Sequence, residues 1–197
     1  MNTDNIYILA IPEQLIRKFE PKSSWLSHDS ELHGVDHMAR VFILQELICD
    51  KLEEQGIAVD REVIRWAAAT HDVGRIDDGV DLEHGTRSAK WIEENLHDQM
   101  SPELLDEVTY IVHWHVPPDS EAPVMTTELK VLKDADALDR VRLGDLDTRY
   151  LRTDVARELI SLSEDLYQTY LDEQTDDAFS SVLRAAQTIG VVESDAA

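Results

Sequence analysis

His71 and Asp72 stand side by side in the run AAATHDVGR, and the spacing around them decides where they point. His71 follows Ile64 by seven residues and Ala67 by four, so it continues a buried helical stripe instead of turning to water. His37 precedes Val41, Leu44 and Ile48 by four, seven and eleven residues, at the start of another stripe. Asp136 repeats the pattern, seven residues after Leu129 and four after Leu132. An imidazole or carboxylate left without a partner inside a helical core is costly. One shared divalent metal would satisfy all of these groups, and imidazole nitrogen with carboxylate oxygen is the donor set of Mn, Fe, Co, Ni or Zn, with Mg a further candidate. From spacing alone, a hydrogen-bonded core histidine is an equally good reading. Cys49 is the only cysteine and lies among apolar helix residues, so any metal must be held by His and carboxylates. The chain carries no G-x-S-x-G elbow and no P-loop that would offer another route to hydrolysis.

The ordered set HGVDHMARV, AAATHDVGR, EHGTRSAKW, IVHWHV and LKDADALDR resembles the HD-domain superfamily of metal-dependent phosphohydrolases, over about His33 to Arg140. The resemblance implies an all-α fold in which His37, His71, Asp72 and Asp136 ligate a divalent metal. Asp134 and Asp139 flank Asp136 as competing candidates, but Asp134 falls on the face opposite Leu129 and Leu132. His84 is similar to an additional histidine that some members use for a second metal or for phosphate. The later histidine of that kind is open between His113 and His115, and periodicity favours His115, three, four and seven residues after Val112, Ile111 and Val108. Trp114 separates the two, and no glycine-tyrosine-proline element follows. Both features set the chain apart from cyclic-dinucleotide phosphodiesterases of the HD-GYP type, and the interruption by Trp114 favours one metal over two.

The implied activity is hydrolysis of a small phosphorylated metabolite, with a nucleotide as the expected substrate. Asp72 is the expected proton acceptor from water, and His84 or His115 is either a second-metal ligand or a general acid. Arg40 and Arg75, each three residues after a proposed ligand, are expected to meet phosphate at the mouth of the site, with Arg140, His113 and Lys133 as further contacts. His33, one turn before His37, is expected either to orient a ligand or to cap the helix. Two rivals use the same scaffold: a di-iron enzyme that activates oxygen, and a non-catalytic ligand sensor.

Charge sharpens the substrate question. The 18 Lys and Arg residues against 41 Asp and Glu give a formal charge of −23, which repels nucleic-acid backbones and anionic membranes. A phosphorylated substrate therefore needs local cations. No apolar run approaches the roughly 18 residues of a membrane span, and MNTDNIYILAIPEQ lacks the flank and apolar stretch of a signal peptide, so the expected location is the cytoplasm. Oligomeric state is left open.

The elements that must position these residues read as an all-α bundle of about seven helices in one domain over 1–197, with the site-bearing core at about 33–140 and packing helices at about 151–190. A long helix is expected from about Val35 to Gln55, stopped by Gly56, and Asp60 is expected to cap the next one. Ser101 followed by Pro102 marks another start, and Pro117 with Pro118 its end. Val155, Leu159, Leu162 and Leu166 form one late stripe, and Phe179, Val182, Leu183 and Ala186 another. IYILAI near the N-terminus is read as helix or irregular approach, since a lone strand would have no partner.

Overall fold

A computed structural model describes residues 13–30 and 32–192, and IYILAI lies outside them. Among the described residues every regular element of more than one residue is helical. Nine α-helices follow one another: α1 (Glu13–Lys18), α2 (Val35–Glu54), α3 (Arg61–Thr70), α4 (His84–Asn95), α5 (Pro102–Trp114), α6 (Thr127–Asp139), α7 (Asp154–Glu158), α8 (Ile160–Asp172) and α9 (Ala178–Thr188). None is long and apolar enough to cross a membrane. The expected late stripe is divided, because the Leu159 N–H turns to the carbonyl three residues back, on Ala156, at 3.1 Å, and this tighter turn separates α7 from α8. This division helps raise the number of helices among the described residues to nine, above the expected seven or so. A periodicity of buried leucines does not register a change of one hydrogen bond.

The starts and stops follow their local chemistry. The Asp60 carboxylate accepts the N–H groups of Glu62 and Val63 at 3.0 and 3.2 Å, and Ser101 Oγ accepts that of Leu104 at 3.2 Å. Gly56, with φ of +80°, turns the chain out of α2 in the left-handed region that suits glycine.

α2 is the hub, packing against α3, α6 and α9. Every residue from His37 to Cys49 is buried, which goes beyond the one-sided stripe its leucines suggest. Its polar members are therefore paired from neighbouring elements. Glu46 receives Arg61 at 2.8 Å and Arg65 at 2.7 Å, and Arg40 reaches Asp139 at 2.7 Å and Asp36 at 3.0 Å. Cys49 is buried and unpaired with any other cysteine, as expected of an inert core thiol.

Two glycines allow the close approaches on which the site depends. A Cβ at Gly74 would lie 2.5 Å from the Ser88 nitrogen, and Gly74 N–H donates to Ser88 Oγ at 2.9 Å, so the turn after Asp72 is strapped onto α4. A Cβ at Gly85 would lie 2.9 Å from both the Val112 and His113 carbonyl oxygens, so the first turn of α4 rests directly on the last turn of α5.

Candidate metal centre

Helix ends deliver most of the site. His37 lies in the first turn of α2, His71 and Asp72 directly follow α3, His84 opens α4, His115 follows α5, and Asp136 projects from α6. The orientation of three imidazoles has a common cause. The last carbonyls of a helix have no partner within it, and His71 Nδ1 meets the Ala68 carbonyl at 3.0 Å while His115 Nδ1 meets that of Val112, each three residues back. His84 Nδ1 does the same with Asp81 in the loop before α4. His37 Nδ1 instead faces Asp139 Oδ2 at 2.7 Å. Carbonyls and carboxylates only accept, so in all four rings Nδ1 is the donor and Nε2 is left to face the interior.

Those Nε2 atoms converge. His37 and His71 approach to 3.2 Å, His84 and His115 to 3.0 Å, and Asp72 lies between the pairs. Its Oδ2 is 3.5 Å from His37 and 3.8 Å from His71, and its Oδ1 is 3.1 Å from His84 and 3.8 Å from His115. Two buried groups able to hold an ion thus share one carboxylate: His37 with His71 and Asp72, and Asp72 with His84 and His115. Asp136 Oδ1 lies at the edge of the first group, 3.4 Å from His37 Nε2. Asp72 Oδ1 is buried and receives no hydrogen bond. A donor set of imidazole lone pairs and carboxylates, with a buried oxygen left unsatisfied, fits a divalent cation.

The electrostatics point the same way. Burial and the Arg142 charge oppose a proton on His37, but the carboxylates of Asp136, Asp139 and Asp72 outweigh both and raise it to about 10. Burial lowers His71 to about 4, and the neighbouring His37 and His115 add to the effect. Burial also opposes ionisation of Asp72, yet His71 and the three other imidazoles hold it well below the usual carboxylate range. The site attracts positive charge, and a proton on His37 supplies it in the metal-free chain.

The remaining expected residues divide. Arg75 Nε lies 3.1 Å from Asp72 Oδ2, against the site. Arg40 does not reach the mouth: it is 1% exposed, held by Asp139 and Asp36, and covered by the rings of Tyr167 and Tyr170, so the expected phosphate contact is replaced by a buried ion pair. His113 turns away from both groups and packs its half-buried ring against Trp114. Of the pair left open by the sequence, His115 is the one brought inward. His33 does not cap α2; its Nδ1 meets Asp78 at 3.2 Å. Asp134 is fully buried, accepting the N–H groups of Arg152 and Thr153 at 2.7 and 2.8 Å. Asp139, a competing ligand candidate in the sequence, does not enter the donor set and instead fixes the His37 ring.

Beyond Asp136 and His115 a cleft opens in two connected parts, of about 340 and 540 Å³, that share His115, Lys133, Tyr150 and Arg152. Arg140 lines the inner part, paired with Asp145, and Arg149 lines the outer, paired with Asp147 at 2.7 Å. Lys133 and Arg152 both meet Asp119 at 2.8 Å. Tyr150, Arg149 and Arg152 lie outside the regular periodic stretches and carried no signal in the sequence.

The family described as HD domain matches residues 34–141, more than half of the chain. Neither the curated proteins nor the solved structures give a significant match.

Proposed function

The chain belongs to the HD-domain family, and from that premise we propose a metal-dependent phosphohydrolase that acts on a small phosphorylated metabolite, a nucleotide in the first instance. His37, His71, Asp72 and Asp136 would hold one divalent ion, and Asp72, His84 and His115 a second. The observation that carries this reading is the unsatisfied Asp72 Oδ1 facing two imidazole Nε2 atoms, with both Nδ1 positions already donating to carbonyls. A divalent cation relieves these three buried acceptors at once. The interruption by Trp114, which in sequence favours a single ion, leaves His115 free to close on His84 across the Gly85 contact.

Bound at this site, divalent ions supply charge that acidifies water and neutralises phosphoryl oxygens. The chain's own residues do the rest. Asp72 is 2% exposed with both oxygens turned to imidazoles, whereas the Asp136 side chain is 38% exposed and lines the cleft. His37 and His71 hold the Asp136 carboxyl well below the usual carboxylate range, so it would orient the attacking water as an ionised acceptor. His84 and His115 act as ligands, since Nδ1 is committed outward and Nε2 inward. Arg140 and Arg152 set guanidinium groups along the cleft and offset the negative field of the chain at the phosphate. Lys133 lines both parts of the cleft, its ammonium held by the Pro117 carbonyl at 2.6 Å and by Asp119 at 2.8 Å, and would meet the leaving oxygen from there.

The test is phosphate release from a panel of nucleotides and other phosphomonoesters and diesters, with Mn, Co, Ni, Zn or Mg and with a chelator. Release with a divalent ion and none after chelation is expected. No release from any compound with any metal would turn the reading toward a sensor, and oxygen consumption by an iron-loaded chain without phosphate release would turn it toward the oxidative alternative.

A further inference from the structure

The outer edge of the cleft carries a feature that the metal chemistry does not use. Tyr150 is 66% exposed and lines both parts of the cleft, where the inner part adjoins Asp136 and the outer runs along Pro117 and Pro118. A large aromatic side chain gains nothing for folding by standing in water. Its backbone is nevertheless fixed. Tyr150 N–H donates to the Asp147 carbonyl at 3.0 Å, and its own carbonyl accepts Arg152 Nη1 at 2.6 Å. The next residue, Leu151, is 2% exposed in the core, and Asp134, two residues before Asp136 on α6, accepts the N–H groups that follow. The helix that supplies a proposed ligand therefore also anchors the segment that presents the phenol ring.

The charge of the cleft is balanced. Each of its cations Lys133, Arg140, Arg149 and Arg152 already meets a carboxylate, so the cleft does not favour a densely charged ligand. Further affinity must come from an uncharged contact, and a flat ring against a flat ring is the contact an exposed tyrosine offers.

We propose that Tyr150 is the platform on which a planar ring of the substrate stacks, so that the cleft selects a phosphate ester bearing an aromatic heterocycle over a bare sugar phosphate. The assignment rests on the phosphohydrolase reading for the phosphate end only. The probes are phosphonate isosteres of adenosine 5′-monophosphate and of ribose 5-phosphate, in which a P–CH₂ bond replaces the ester P–O bond, titrated by calorimetry into Mn-loaded wild type, Tyr150→Ala and Tyr150→Phe. The adenosine isostere should bind wild type on the order of tenfold more tightly, the usual scale for one base on one aromatic ring. Tyr150→Ala should close the gap by weakening the adenosine isostere, and Tyr150→Phe should keep it. Equal binding of the two probes by wild type, or an equal loss for both in Tyr150→Ala, would overturn the assignment. Because these probes are not hydrolysed, failure of the hydrolase reading shows separately, as absent phosphate release, while the binding difference stands or falls by itself.

Discussion

At the scale of single residues, the site is a set of orientations imposed from behind. Each imidazole is aimed by what its Nδ1 donates to, and three of those acceptors are carbonyls three residues earlier, a device that any histidine near a helix end can use. His37 depends on a side chain instead. Asp139 accepts from His37 Nδ1, while Arg40 and Arg142 neutralise its charge at 2.7 and 3.1 Å. Asp139 and Arg40 are each 1% exposed, so removing the carboxylate's charge leaves Arg142 without its carboxylate and Arg40 with Asp36 alone. Asp139→Asn should lower the free energy of unfolding by about 3–5 kcal/mol, the usual cost of breaking a buried pair. Urea unfolding measures it, and Arg40→Met in the same chain should return part of the loss. A loss under about 1 kcal/mol, the scale of an exposed pair, would contradict the role. The spacing of His37, His71 and Asp136 was legible because those residues lie on apolar stripes. For Arg40, three residues of spacing from His37 suggest phosphate while its place on a core helix suits a buried ion pair, and the packing of other helices over it decides for the pair.

At the scale of elements, α4 against α5 decides whether His84 and His115 meet. Gly85 sits where a Cβ would press on two carbonyl oxygens of α5. Gly85→Ala should push the helices apart, costing about 1–3 kcal/mol as overpacking usually does, and should separate the two imidazoles. Elemental analysis of the variant should find the second ion lost and the first, held by α2, α3 and α6, retained; retention of both would show that the contact does not set the site. Caps at Asp60 and Ser101, and the stop at Gly56, were readable because they use local hydrogen bonds between neighbours in sequence. The division of α7 from α8 and the 3₁₀ turn from Thr148 to Tyr150 were not, since both are set by what the chain packs against.

For the molecule as a whole, a charge of −23 sets the background against which every anion must bind. Self-repulsion of that size destabilises the compact state and is relieved by salt. The midpoint of thermal unfolding should therefore rise when sodium chloride is raised from about 10 mM to about 1 M, where the screening length falls to about 3 Å. A midpoint that falls would mean that the ion pairs around Glu46 and Asp139 contribute more than the general repulsion removes. Helical class and the location of the site were legible because buried stripes and titratable groups coincide in one stretch of chain. The cleft was not, because its walls come from α6 and from the irregular segments around 116–120 and 145–152, which only tertiary packing brings together.

The central claim is that two groups of ligands share Asp72, and bound metal counted per chain tests it most directly. After reconstitution with Mn and removal of free ion, wild type should hold two equivalents, the His84→Ala/His115→Ala variant one, and Asp72→Ala none. Wild type without bound ion, or Asp72→Ala with its full complement, would contradict the account.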